Sequence, residues 1–229
     1  MEAAVNNAFL ESRRKLAKWG NYIGLGALIA GLFTVARSPV LSSTLLLIGV
    51  CGASIGAYMA NRYIREPRVD QVLSRALDGL DKRYTLYSYY LPAGQVVLSH
   101  FGFTVLEARS QGGQIAYSRG RWSHKARLNL LKQILGEPSL GSPDKDLAIQ
   151  IEHLRKWMAR QGLDDVPVSG AIVFTNQEAG LEIEGLGFPA VRLRELAPLL
   201  KGGVSDQVPL ATSQRREIES KLDELVQKA

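Results

Sequence analysis

The chain has 229 residues, 46% of them hydrophobic and 22% charged, which is enough for one domain of ordinary size plus additional elements. Its only cysteine, Cys51, excludes a disulfide framework and a cysteine-rich metal site. The formal net charge of +6 favours a negatively charged partner, either nucleic acid or an anionic membrane surface, or else indicates the basic flanks of a membrane protein.

Two apolar stretches come first along the chain, at residues 19–36 and 40–60, and neither contains a charged residue. Each is close to the roughly 20 residues that a helix needs to cross the hydrocarbon core of a bilayer. Two stretches of this length are not typical of a cleaved signal peptide, which has one shorter apolar segment. We therefore predict a transmembrane helical hairpin over residues 19–60, with two buried helices of a soluble core as the alternative.

The link between the two predicted spans is short and contains Pro39, which a helix does not easily continue through. Small residues recur four positions apart at Gly20/Gly24, Gly52/Gly56 and Ala53/Ala57. This spacing lets membrane helices pack closely, although glycine is also simply common in such helices.

Basic residues flank the predicted hairpin, and its tip holds only Arg37. The flanking residues are Arg13, Arg14, Lys15, Lys18, Arg62, Arg65 and Arg68. The excess of Lys and Arg on the cytoplasmic side of membrane proteins then predicts a protein integral to the cytoplasmic membrane. In this prediction the basic segment 1–18, the juxtamembrane linker 61–68 and both termini are cytoplasmic.

After residue 68 the pattern changes to that of a folded soluble domain. Apolar residues from Val69 to Leu80 recur at helical spacing and predict an amphipathic helix. Four runs rich in β-formers, punctuated by Gly and Pro, then predict strands at residues 84–91, 95–101, 103–109 and 113–118. The second and third runs are separated by little more than Gly102, so we expect them to form a tight hairpin.

Helices and strands alternate in the rest of the chain. A short amphipathic helix is predicted from Arg127, and a longer one follows, with Ser142 as its N-cap and Gly162 as its stop. The later elements are a buried strand at residues 167–176, a short strand and helix within 189–196, and an amphipathic helix in the C-terminal segment 202–229. The predicted fold class is α/β, a mixed sheet flanked by helices and preceded by the two-helix transmembrane hairpin.

Residues 69–201 resemble the nuclease-related domain (NERD) family, which is similar to the PD-(D/E)xK metal-dependent nuclease fold. The features that carry the resemblance occur in order: the first amphipathic helix, "YYLPAGQVVLSHFGFTVLEARSQGGQI", Trp122, a "GSP" before the long helix, and "VPVSGAIVFTN". The resemblance implies a PD-(D/E)xK-like sheet and a site for metal-dependent hydrolysis of nucleic acid, with Mg²⁺ or Mn²⁺ as the cofactor if the site is active.

In such a site, carboxylates on adjacent strands hold the metal, and a lysine follows the second carboxylate by two residues. The resemblance places the second carboxylate at Glu107 and puts Arg109 at the lysine position. The first carboxylate should lie near Gly94, which has no side chain, and Asp70 is a loose match to a further family acid in the first helix. A guanidinium cannot replace a point-charge amine or act as a base. The implied catalytic pair is therefore vestigial, and with Glu107 as its one metal ligand we expect no resident cofactor.

The start of the long helix also departs from the family pattern. A glutamine is expected there, but Asp146 occupies about that position and Gln150 lies about a turn later. Because alternate residues of a strand share a face, an ordinary ion pair between Glu107 and Arg109 is the alternative to a catalytic site.

Residues 119–127 form a basic run around Trp122. Its cations, Arg119, Arg121, Lys125 and Arg127, could bind phosphates while the Trp ring stacks on a base. Two alternatives stay open: the cations could face an anionic lipid surface, and the Trp ring could lie in the core.

Three functions follow from the sequence. The first is a membrane-anchored, catalytically impaired NERD-like domain that acts in binding or scaffolding at the cytoplasmic membrane face. The second is an active metal-dependent nuclease on DNA or RNA. The third is a membrane assembly subunit that binds a protein partner, or a second copy, through residues 214–228. The expected partners are thus the lipid bilayer and either nucleic acid or a protein.

Overall fold

The computed structural model describes residues 1–125, 139–204 and 209–228, which form two compact units. One unit contains the first six residues and the described chain from Val69 onward, and the other contains residues 7–68. The fold class is mixed α/β, with sheets flanked by helices. The short helix predicted from Arg127 lies outside the described residues.

The unit of residues 7–68 is a pair of helices, α1 (Asn7–Thr34) and α2 (Pro39–Tyr63). Most of the predicted N-terminal basic segment is therefore helical, because α1 begins well before the apolar stretch. By length and composition α2 is long and apolar enough to cross a membrane. Among the described helices it is the one that meets this test, and the first half of α1 carries the basic residues.

The two helices pack along a seam of small residues. The buried positions recur every seven residues, at Leu10, Ala17, Gly24 and Gly31 on α1 and at Ser42, Gly49 and Gly56 on α2. This period of 3.5 residues keeps one stripe of each helix facing the other. A Cβ added at Gly24 would lie 2.5 Å from the backbone nitrogen of Ala53, so the backbones approach closely there, in agreement with one of the two interpretations of the glycine spacing.

A hydrogen bond also crosses this seam. The hydroxyl of Ser42 is buried and donates to the carbonyl of Gly31 at 2.7 Å. The structure also shows how α2 begins, because the Ser38 hydroxyl accepts from the N–H of Leu41 and Pro39 occupies the first turn. Contacts between α1 and α2 thus hold the two helices together as a hairpin.

The other unit is built on a six-stranded sheet with the order β1-β2-β3-β4-β7-β9. The strands are β1 (Glu2–Val5), β2 (Thr85–Ser88), β3 (Gln95–Ser99), β4 (Gly102–Arg109), β7 (Val168–Phe174) and β9 (Ala190–Arg192). Strands β3 and β4 form the predicted tight antiparallel hairpin, and β4, β7 and β9 are parallel to one another. Gly102 has φ +107°, and a Cβ there would lie 2.4 Å from the carbonyl oxygen of Pro167, so the hairpin requires glycine at this position.

Strand β1 lies within the segment 1–18, which the sequence assigns only as a basic cytoplasmic segment. It pairs in parallel with β2, from Glu2 opposite Thr85 to Val5 opposite Ser88. The N-terminal ammonium also donates to the carbonyl of Leu80 at 2.7 Å. The four residues of β1 show no alternation of polar and apolar side chains, so the sequence does not indicate a strand there. They form one only by pairing with β2, some 80 positions away.

A second, three-stranded sheet has the order β6-β5-β8, with β5 (Gly113–Ser118), β6 (Arg121–Lys125) and β8 (Ala179–Ile183). Strands β6 and β8 are not predicted from the sequence. The turn between β5 and β6 has positive φ at both central residues, 50° at Arg119 and 75° at Gly120, which suits the twist of a two-residue hairpin.

In the described part of the chain, four helices cover the large sheet on its two faces: α3 (Val69–Leu77), α4 (Pro143–Arg160), α5 (Leu193–Gly202) and α6 (Thr212–Lys228). Leu73 of α3 and Leu196 of α5 belong to one buried cluster, whereas Leu147 of α4 and Leu222 of α6 belong to the other. Helix α4 begins after Ser142 and is followed by Gly162 with φ +66°, as the sequence predicts.

Candidate functional site

The residues of interest lie where β4 ends. Alternation along the strand puts Val105 in the cluster under α4 and α6 and Leu106 in the cluster under α3 and α5. Glu107 and Arg109 therefore share the face of Val105 and look toward α4. Both are held by the parallel pairing of β4 with β7, which continues to the end of the two strands.

Glu107 and Arg109 form an ion pair, with 3.1 Å between Nη2 of Arg109 and Oε1 of Glu107. The side chain of Arg109 is only 12% exposed and that of Glu107 only 8%, so this is not a surface pair. Because little water reaches the pair, either charge would be strongly destabilising without the opposite charge beside it.

Helix α4 supplies the second contact to the carboxylate. The side-chain amide of Gln150 donates from Nε2 to Oε2 of Glu107. Its Oε1 accepts a hydrogen bond from the backbone N–H of Gly94 at 3.0 Å. Gln150 thus connects the start of β3, the end of β4 and helix α4 through one amide group.

Asp146 completes the cluster from the preceding turn of α4. Its Oδ2 contacts Nη2 of Arg109, the nitrogen that also contacts Glu107. The Asp146 side chain is 51% exposed, so the cluster reaches solvent on this side. Asp146 and Gln150 are four residues apart and therefore lie on the same side of α4. That spacing is the sequence signal that could have placed both beside Glu107.

The arrangement does not fit a divalent cation. The guanidinium of Arg109 lies between two carboxylates, where a hard cation would seek oxygen ligands. Both oxygens of Glu107 already have partners, and Gly94 contributes no carboxylate. Across residues 1–125, 139–204 and 209–228, no three or more His, Cys, Asp or Glu side chains converge as a metal site.

Asp70, the further acid suggested by the resemblance, lies in the first turn of α3 and is 2% exposed. The apolar side of α3 packs in the cluster of Leu73 and Leu77, on the sheet face opposite to that of Glu107. The structure therefore brings Glu107, Arg109, Asp146 and Gln150 together and places Asp70 on a helix of the other layer.

The basic run lies on the small sheet, and its side chains divide between two faces. Arg121 and Lys125 alternate with Trp122 along β6 and are exposed, as is Arg119 in the turn. The Trp122 ring packs 5.0 Å from Tyr117 and 6.2 Å from Phe174, measured between ring centroids. Its indole N–H donates to Oδ1 of Asp144 in the first turn of α4 at 2.8 Å.

This geometry separates the Trp ring from the cations that were grouped with it. The ring belongs to the core side of the small sheet, as in the alternative stated for it, while the cations point away from it. A single nucleic-acid strand could not stack on Trp122 and contact Arg121 on the same face. Arg127 lies outside the described residues.

Comparisons of this chain with protein-family models, with curated proteins and with solved structures find no match. The NERD resemblance therefore stays a prediction from the sequence.

Proposed function

We propose that the chain is a membrane-anchored protein whose NERD-like domain does not hydrolyse nucleic acid and acts in binding or scaffolding at the cytoplasmic membrane face. The observation that carries this proposal is the position of Arg109. Its Nη2 contacts Glu107 and Asp146 together, so the domain's own cation occupies the place beside Glu107 that a catalytic metal would take.

The guanidinium of Arg109 is expected to stay beside the two carboxylates for two physical reasons. Arginine keeps its proton at all pH values that proteins tolerate, and its planar group matches carboxylate oxygens. A divalent ion would have to displace a charged side chain that is nearly buried, and would leave that charge without a partner. The cluster also has one more carboxylate than it has cations, which disfavours the approach of a phosphate group.

The membrane anchor is supported by the surface of the helical hairpin. Large apolar side chains point outward along it, among them Phe33 at 82%, Val40 at 79% and Tyr22 at 68% exposure. Only 17% of the most apolar window of α2 is buried, whereas a core helix of a soluble protein is mostly buried. An apolar surface this extensive is stable in water only when it is covered, and a bilayer covers it.

Two spans, rather than one, are supported by the pairing of β1. Strands β1 and β2 are hydrogen-bonded in one sheet, and the chain between them contains α1 and α2. A chain that leaves a domain and returns to the same domain crosses a membrane an even number of times. If α2 crosses, α1 crosses too, and the small-residue seam gives α1 a packing partner in the bilayer.

Cysteine labelling in sealed vesicles tests this topology. In a Cys51→Ser background, Ser12→Cys and Ser213→Cys should react with an impermeant maleimide from one side, and Ala36→Cys from the other. Labelling of Ala36→Cys from the same side as Ser12→Cys would show that α1 does not cross. Labelling of Ser12→Cys and Ser213→Cys from opposite sides would exclude β1 as a strand of the domain.

Metal binding and hydrolysis test the proposed loss of catalysis. The full chain in detergent should give no calorimetric binding signal with Mn²⁺ and should leave DNA and RNA intact with Mg²⁺ or Mn²⁺. The alternative, an active nuclease, predicts metal-dependent degradation that Glu107→Gln abolishes. That result would overturn the proposal, since the same substitution leaves the size and shape of the side chain unchanged.

The assembly-subunit function has less support from α6. The apolar side of this helix is used inside the domain, where Ile218 and Leu222 are 0% and 1% exposed. A protein that binds residues 214–228 would have to use the charged side of the helix, where Arg215 and Lys221 already pair with Glu219 and Glu217.

A further inference from the structure

The net charge of the chain is concentrated around the helical hairpin. Residues 7–68 hold eight basic and two acidic residues, so this segment accounts for the whole formal excess of +6. The rest of the chain has 20 residues of each sign and is formally neutral. A basic balance that belongs to one short segment indicates a partner of that segment, not of the whole protein.

Seven of these eight cations lie at the open end of the hairpin. Six of them, which we call the basic collar, are Arg13, Arg14, Lys15, Lys18, Arg62 and Arg65. The antiparallel packing of α1 and α2 brings the two groups to the same level, because the rings of Phe9 and Tyr63 lie 5.7 Å apart. Arg13 lies over the Phe9 ring at 4.8 Å and Arg62 over the Tyr63 ring at 5.8 Å.

Three cations of the collar, Arg14, Lys15 and Lys18, are exposed. Within the described part of the chain none of them forms an ion pair with a carboxylate, and Glu11 is the one acid on their helix. Arg14 and Lys18 are four residues apart, a spacing at which like charges on a helix repel each other. An anion from outside the chain would relieve this repulsion.

Exposed aromatic rings lie on the apolar side of the collar. Trp19, Tyr22 and Tyr58 are 64%, 68% and 53% exposed, and such rings favour the level of the lipid headgroups. A cation beside these rings is at the depth of lipid phosphates.

We propose that the basic collar binds anionic phospholipids of the leaflet at the open end of the hairpin. This inference rests on the proposed membrane anchor. Each basic side chain near an anionic surface contributes about fivefold to binding, and the contribution falls as salt rises.

The test uses the full chain in nanodiscs that contain equal amounts of phosphatidylcholine and phosphatidylglycerol. Spin-labelled lipids of each headgroup report which lipid remains in contact with the protein. The wild type should retain phosphatidylglycerol in preference to phosphatidylcholine, with a preference that weakens as salt rises. The collar variant, Arg14→Gln/Lys15→Gln/Lys18→Gln, should lose this preference roughly tenfold or more.

The matched control removes the same number of exposed charges from the other unit, with Lys82→Gln/Lys145→Gln/Lys201→Gln, and should keep the preference. Equal retention of both lipids by the wild type, or an equal loss in both variants, overturns the inference. If the collar variant does not insert, Lys18→Gln alone should still weaken the preference severalfold. The anchor is checked separately: a wild-type chain that alkaline carbonate releases from membranes is not anchored, whereas an inserted chain without lipid preference refutes only the collar.

Discussion

The backbone N–H of Gly94 donates a hydrogen bond to the side chain of Gln150 at 3.0 Å. The predicted resemblance calls for a carboxylate near Gly94, and Gln150 contacts Glu107, which the same resemblance implies is the second carboxylate. The side-chain amide of Gln150 on α4 therefore bridges the start of β3 and the end of β4. Together with Arg109 it gives Glu107 a complete set of partners from within the chain.

Restoring the two departures from the family pattern should create a metal site. A Cβ at Gly94 would have its nearest neighbour, Oε1 of Gln150, at 3.8 Å, so a side chain fits there. In the variant Gly94→Asp/Arg109→Lys, a second carboxylate faces Glu107 and a compact ammonium replaces the planar guanidinium. We expect Mn²⁺ binding by calorimetry in this variant and none in the wild type.

The control for this gain is Gly187→Asp in the Arg109→Lys background. Gly187 also has room for a side chain, with no atom within 4 Å of an added Cβ, so it adds the same charge elsewhere. Equal Mn²⁺ binding by the two double variants would show that charge alone, not the position of Gly94, creates the site.

Removing Arg109 should destabilise the domain. In Arg109→Ala the buried carboxylate of Glu107 loses its cation, and breaking a buried pair from one side costs about 3 kcal/mol or more. The exposed pair of Arg194 and Glu195, 3.6 Å apart, provides the comparison, because Arg194→Ala should cost less than about 1 kcal/mol. The measurement is the shift of the urea midpoint of the full chain in detergent.

The double variant Arg109→Ala/Glu107→Ala identifies the cause of that loss. If the cost of Arg109→Ala comes from the unpaired carboxylate, removing Glu107 as well should recover part of the stability. A double variant less stable than Arg109→Ala by the full cost of Glu107→Ala would mean that the two side chains act independently.

The sequence predicts most of the large sheet and the position of the candidate site, because periodic apolar runs specify β3, β4, β7 and α4 locally. It does not predict β1, whose four residues become a strand only through pairing with distant β2. Nor does residue type alone show that Arg109 contacts both Glu107 and Asp146, since that depends on how α4 packs against β4. Spacing places residues on faces, while packing between elements decides their partners.

Mild acid should weaken the domain through His100. Burial, and then the guanidinium of Arg83, lower the pKa of His100 below its usual value of 6.5. Because the folded pKa is the lower one, the contribution of neutral His100 to stability is complete above about pH 6.5 and is lost as the pH falls below it. The free energy of unfolding of the full chain in detergent should therefore fall as the pH drops below about 6.5.

Two substitutions test whether His100 causes this acid sensitivity. His100→Phe keeps a ring beside Tyr84 and Phe101 but does not titrate, so it should flatten the pH profile. His153, which is exposed on α4, is the control, and His153→Gln should leave the profile unchanged. An unaltered profile in His100→Phe would show that other groups cause the acid sensitivity.

The small-residue seam should decide whether α1 inserts beside α2. A Cβ at Gly24 would lie 2.5 Å from the backbone of Ala53, whereas one at Gly26 meets no atom within 4 Å. Gly24→Leu and Gly26→Leu add the same apolar group to the same helix, so any difference between them comes from packing. Overpacking of this kind costs about 1–3 kcal/mol or more, and we expect Gly24→Leu to separate the helices.

In the Cys51→Ser/Ala36→Cys background, Gly24→Leu should reduce labelling from the far side of the membrane severalfold, and Gly26→Leu should not. Equal labelling in the two variants would mean that α1 enters the bilayer without the seam, because its apolar length alone would then suffice.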